Sequence, residues 1–426
     1  MNVIRLQDFE PPARKPTSVI AGFDALRAFA ALAVVALHAG VPYLRHPMPG
    51  LLWPAWDSSS SVVDAVFWSI EVVIMPLFLV LAGFLMWNSS QRLSPGRLVR
   101  SRAKRLLIPL AFGVLVVLPI DLYIWTLGLV AEGVVPAIKL KSLKFEEPIS
   151  SKIWGLSHLW FLLYVFLYVA VAAILLRLLS RPSLSRLTRV VSRPTILFAV
   201  LAGIAIATLA ASPEVVWGFQ HAFLPVPSKW IYSGVFFAAG CGLALHDGEL
   251  KQTSLSAPRL LAIGLVLLAT SVTLGTWSLE QTDANRVANR AASFLLALLT
   301  VAAATTTTFG LIGASVRYVK EASKPIRYVA AASFWIYLIH HPLLGLIHTD
   351  IKWIWPQGQP VMKLCVSFVI ATGVSLLMFE ALVRRSRFGS SMGLVQPAPP
   401  LQKQREPEAE RTEAIRMTGS EERRAA

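Results

Sequence analysis

The hydrophobic pattern is dominated by long, almost unbroken apolar runs. A run of about 20 residues at ~1.5 Å per residue crosses the hydrocarbon core of a bilayer. Ten such runs predict helices at about 22–44, 62–87, 106–129, 158–179, 195–212, 229–246, 259–279, 291–313, 328–348 and 360–383. Short polar segments separate them. The reading is an all-α, polytopic integral membrane protein with about ten transmembrane helices. No internal repeat suggests inverted symmetry.

Composition agrees. Of 426 residues, 55% are hydrophobic and only 15% are charged, too few to clothe a soluble domain of this size. The net charge of +16 first suggests a nucleic-acid partner. Its distribution argues against one, because the basic residues lie between the spans. Segment 88–105 carries six Lys or Arg, the segment ending at Arg193 five and 314–327 four, whereas 45–61 has only Arg45 and 213–228 none. The exception is 130–157, with four lysines partly offset by Glu132, Glu146 and Glu147. The positive-inside rule then puts both termini in the cytoplasm and 130–157 outside, placed to cover the outer mouth.

Residues 1–20 have no apolar core of their own, so the first span is expected to act as the targeting signal for the cytoplasmic (inner) membrane. The domain plan is a cytoplasmic segment 1–20, a membrane domain 21–390 and a disordered cytoplasmic tail 391–426. Cys241 and Cys365 fall toward opposite leaflets, which disfavours a disulfide, and no metal-ligand spacing is present. Thr305–Thr308 reads as structural hydrogen bonding. Trp53, Trp56, Trp154, Trp353 and Trp355, at span ends, read as interface belts.

Ionisable groups inside the spans need a partner, water or a function. Arg27 and His38 are eleven residues apart in the first span. On a helix that is three turns plus about 20°, so both project from one stripe about 16 Å apart. Glu71, Asp121, His158 and the pair His340–His341 lie in the middle or outer parts of their spans. Two or more imidazoles and two carboxylates are therefore expected to converge on one outer-half cavity. Of His340 and His341 only one is expected to face it, because helix neighbours diverge by ~100°. Arg27, Arg102 and Arg105 gather toward the cytoplasm, where planar guanidinium forks suit phosphate. Plainer roles stand beside these: Arg102 and Arg105 as topology anchors, Arg27 snorkelling, Glu71 pairing with Arg or His, His158 sitting at the interface.

Arg27-x10-His38 and Arg102-Ala-Lys-Arg105 resemble the paired motifs of the acyltransferase 3 family of polytopic membrane acyltransferases. MPLFLVLAGFLMW at 75–87 is similar to that family's second-span signature, with Ala82 where serine is common. HLWFLLYVFLY and IYLIHHP resemble the branch that includes the glucan biosynthesis protein C. The resemblance implies transfer of an acyl group from cytosolic acyl-CoA to an extracytoplasmic acceptor such as a sugar hydroxyl. On that reading Arg27, Arg102 and Arg105 receive acyl-CoA phosphates. His38 is the general base or a transient acyl carrier, Glu71 orients or charge-balances it, and His341 and His158 are further catalytic candidates. No metal is expected. The competing reading is a transporter or flippase for a lipid-linked glycan, binding through the same buried charges without chemistry.

Overall fold

A computed structural model describes residues 17–179, 192–281 and 289–394. The first sixteen residues, the arginines at 181, 186 and 189, and the predicted tail from 395 onward lie outside the described residues. Among those described, helices dominate, and the β-structure is one isolated bridge between Leu44 and Ser60.

The long helices are α1 (Thr17–Gly40), α2 (Ser61–Ser90), α3 (Pro95–Ala131), α4 (Trp160–Leu179) and α5 (Pro194–Ala211). They continue with α6 (Pro227–His246), α7 (Lys251–Glu280), α8 (Arg290–Tyr318), α9 (Lys324–Ile354) and α10 (Pro360–Val383). All ten predicted spans coincide with one of these. Nine of the helices are long and apolar enough to cross a membrane, and α6 is not among the nine. Its 20 residues include Ser228, Lys229, Ser233 and His246.

Helix α1 occupies the centre, packed on α2, α8, α9 and α10. Its alanine-rich sequence suits that position, because in lipid the association of helices rests on close packing, which small residues permit. Helices α2 and α6 approach closely. A Cβ added at Gly83 would lie 2.0 Å from the Phe237 carbonyl oxygen, and one at Gly240 would lie 2.1 Å from the Val80 carbonyl oxygen. Cys241 Sγ also reaches the Gly83 carbonyl at 3.5 Å, and Lys229 acts by charge on Glu71 at the same separation of 158 residues, so the two helices run parallel. The same offset brings Lys229 level with Glu71.

That register has a topological result. Glu71 lies ten residues, about 15 Å, below the first residue of α2. Lys229 is the third residue of α6, so α6 begins at that depth and segment 212–226 must sink into the bundle to reach it. Two other segments sink beside it. Phe219 N–H donates to Pro49 at 2.8 Å and Leu156 N–H to Ala222 at 3.3 Å, so the three irregular segments hold one another. Non-helical backbone is tolerated at such depth only where protein surrounds it or it lines a cavity.

The same end is tied by charge. Asp64 accepts from the backbone of Arg45 and from His46 Nδ1 at 2.6 Å, and His46 Nε2 donates to Glu280 at 2.8 Å. Lys363, fully buried, donates to Asp57 at 2.6 Å and to the Pro356 carbonyl at 3.2 Å. The opposite end is basic. There Arg102 Nη2 donates to Ser89 Oγ at 2.9 Å, joining the start of α3 to the end of α2.

A histidine and carboxylate centre beneath the sunken loops

Two proline-coded irregularities build the centre. Pro342, inside α9, has no N–H, which leaves the carbonyl of Leu338 without its helical donor. His158 Nε2 donates to that carbonyl at 3.1 Å. Pro119 likewise cannot bond to Leu115, and α3 absorbs the defect as a π-turn over Gly113–Val117. Asp121 follows immediately and is buried.

Asp121 faces His341 on α9. Both its oxygens lie 2.9 Å from His341 Nδ1, which fixes that nitrogen as the donor and leaves Nε2 with a lone pair. The His341 ring stacks on Trp125 at 4.4 Å and on His158 at 4.8 Å. His38 is the second focus. Its Nδ1 lies 2.9 Å from the Val34 carbonyl and 3.3 Å from His340 Nε2. His340 Nδ1 is engaged by the carbonyls of Ile336 and Tyr337, so His340 Nε2 is the acceptor in that pair. The network therefore assigns the proton of His38 to Nδ1 and an open lone pair to Nε2.

Of His340 and His341 only His341 lines a cavity, as their divergence on one helix predicts. Their rings diverge edge-on at 87°, with centroids 6.2 Å apart. His38 fills the space between them, 4.9 Å from one and 5.4 Å from the other. Trp53 is corrected. It is buried rather than belted at an interface, because its loop is one of those that sink. Its ring lies 5.2 Å from His341, and its indole N–H donates to His348 Nδ1 at 3.0 Å.

Two cavities adjoin here. The inner one, about 100 Å³, is lined by His38, Glu71, His158, Lys229, Tyr232 and His341, among others. The larger, about 360 Å³, is lined by Asp121, Trp125, Lys152, Trp154, His221 and His341 with apolar neighbours. Residues 143–157 of segment 130–157, predicted to cover the mouth, supply part of its wall. His341, Ser157, Phe219 and Leu51 line both cavities.

Glu71 reaches the inner cavity yet makes no hydrogen bond to His38 among the described residues; the charge acting on it is that of Lys229. Lys229 Nζ sits 4.0 Å over the Trp160 ring. Sequence reading missed Lys229 and Tyr232, because at the head of a helix they resemble ordinary interface residues. Asp121, His158 and His341 each place one ligand atom within 4.8 Å of the others, a set that sequence spacing could not reveal because each comes from a different segment. His-and-carboxylate sets of this kind suit zinc; here His341 Nδ1 bonds to Asp121 and His158 Nε2 donates to the Leu338 carbonyl.

The arginines lie toward the basic end. Arg27 pairs with Asp24 at 3.6 Å and keeps 46% of its side chain exposed. Arg102 and Arg105 are close enough for their charges to repel.

No curated protein and no solved structure matches the chain. A family model described as an acyltransferase domain matches residues 20–380, the whole helical bundle that carries the histidines, carboxylates and arginines. The chain belongs to the acyltransferase 3 family and is a membrane acyltransferase.

Proposed function

We propose that the chain is an O-acyltransferase that takes an acyl group of the acetyl or succinyl class from cytosolic acyl-CoA. It delivers the group to a hydroxyl of an extracytoplasmic glycan or similar acceptor, as the resemblance to the glucan biosynthesis protein C branch suggests. The basic end faces the cytoplasm of a cell bounded by its inner membrane, and the sunken-loop end faces outward. Arg27, Arg102 and Arg105 receive the cofactor phosphates.

The observation that carries the proposal is the open lone pair of His38 Nε2 at a cavity inside an acyltransferase bundle. His38 Nε2 accepts the proton of the acceptor hydroxyl as its oxygen attacks the thioester carbonyl. The resulting imidazolium returns that proton to the departing thiolate, so the histidine ends the cycle unchanged. General-base action of this kind contributes about 10²–10⁴-fold. His341, aligned by Asp121, and His158 set the polar wall against which the acceptor is placed, and Glu71 balances the charge of the inner cavity.

Coenzyme A should raise the melting temperature of the purified protein, and a flippase for lipid-linked glycans should show no such response. His38→Ala should keep that stabilisation and lose most transfer. A folded His38→Ala protein that transfers at the parental rate removes His38 from this role and makes His341 the base to test.

A further inference from the structure

Acyl transfer from a thioester passes through a tetrahedral intermediate whose carbonyl oxygen carries a full negative charge. Water-excluded sites stabilise that charge with fixed donors, commonly the largest single contribution to catalysis. If His38 acts on the acceptor hydroxyl, the reacting carbonyl lies at the inner cavity, so the donors must line it.

Among the inner cavity's lining side chains, Lys229 and Tyr232 have donors to give. Lys229 is the one cation among the described lining residues. Among the described residues its ammonium makes neither a hydrogen bond nor a direct ion pair. It rests on the face of Trp160, and Glu71, level with it on α2, balances its charge at longer range. Tyr232 follows three residues later on the same face of α6. It is 4% exposed, lines the cavity, and its hydroxyl has no hydrogen-bond partner. A half-buried cation and a buried hydroxyl without acceptors are costly to retain in a membrane interior. The head of α6, the positive pole of a 20-residue helix, points into the same place.

We infer that Lys229 and Tyr232 form the oxyanion site of the transferase. The inference rests on the acyl-transfer reading above and adds two catalytic residues to it. As the acceptor oxygen bonds to the thioester carbon, the carbonyl π-electrons move onto oxygen. The Lys229 ammonium and the Tyr232 hydroxyl donate to it. Those electrons then re-form the carbonyl as the carbon–sulfur bond breaks and the thiolate leaves with the proton held by His38. Neither donor loses its own proton. Glu71 holds Lys229 charged and in place, which gives that carboxylate a use without contact to His38.

The test compares Lys229→Met and Tyr232→Phe with the parent protein, with acetyl-CoA or succinyl-CoA as donor and a neutral gluco-oligosaccharide as acceptor, following release of free thiol. Tyr232→Phe keeps shape and packing, so it reports even if Lys229→Met, which strands Glu71, fails to fold. Each substitution should lower kcat by about 10²–10³-fold with KM for donor and acceptor unchanged. A raised acceptor KM at parental kcat makes these residues binders of acceptor hydroxyls and overturns the inference. A loss confined to succinyl-CoA makes Lys229 a reader of the acyl carboxylate and overturns it too. A parent that releases no thiol with either donor overturns the acyl-transfer reading and this inference with it, whereas an active parent with unaffected variants overturns this inference alone.

Discussion

The register between α2 and α6 fixes where Lys229 and Tyr232 stand, and Gly240 sets that register. Gly240→Ala puts a methyl group 2.1 Å from the Val80 carbonyl oxygen, where real Cβ atoms keep at least 3.0 Å. The difference is 0.9 Å, and the obstacle is backbone on both sides, so the helices themselves must separate by about that much. Overpacking of this kind costs about 1–3 kcal/mol. A displacement near 1 Å at a reaction centre can cost about 100-fold in rate. Gly240→Ala should therefore melt earlier in detergent and transfer acyl groups about 100-fold more slowly while still binding coenzyme A. Gly373→Ala is the matched control, because a Cβ there meets nothing within 4 Å. If Gly240→Ala melts and turns over like Gly373→Ala, α2–α6 packing does not position the site.

Three further outcomes follow from the rest of the molecule. Replacing Arg102 and Arg105 together by Gln should weaken coenzyme A binding without altering insertion, and Lys at both positions should restore charge but not the fork, hence only part of the affinity; undiminished binding would reduce both to topology anchors. On a background lacking Cys241 and Cys365, an impermeant thiol reagent added from outside should label a cysteine placed at Ser150 and spare one at Ser94, and the reverse pattern would invert the proposed orientation. Partial desolvation opposes the charge on His46, but its bonds to Glu280 and Asp64 outweigh that and hold it above the usual 6.5. The stabilisation from His46 is accordingly complete below pH 6.5 and fades as pH rises through the elevated folded value, so the melting advantage of the parent over His46→Gln should shrink toward alkaline pH; an advantage that grows with pH would contradict the pairing of His46 with Asp64 and Glu280.

The helices were legible because each apolar run is long, and a membrane leaves helix as the simplest way to satisfy a long run of backbone. His38, His158, His341 and Glu71 were visible as misfits in those runs, and their convergence around two adjoining cavities is a finding of the fold. The burial of Trp53 was not legible. Its neighbours look like any span end, and only the sinking of three loops together carries it to His341. Lys229 hid for the same reason, since sequence reading placed it at a water interface. The divergence of His340 and His341 was legible from a single helix, and only His341 lines a cavity. The arrival of His38 from another helix, between the two rings, was not legible.

Loops that fold down into the bundle also shorten the protein's electrical thickness. Where ions and water follow those loops inward, the transmembrane voltage falls across the remaining tightly packed part, between the inner cavity and the basic end. Each elementary charge that crosses the full drop is worth about 2.3 kcal/mol per 100 mV. On the proposed orientation, with the cell interior negative, the field drives an anion from the basic end toward the histidines and opposes its return. An energised membrane thus favours occupancy of the cavity by a negatively charged reacting end and, by the same field, disfavours an amine or other cation taking that path.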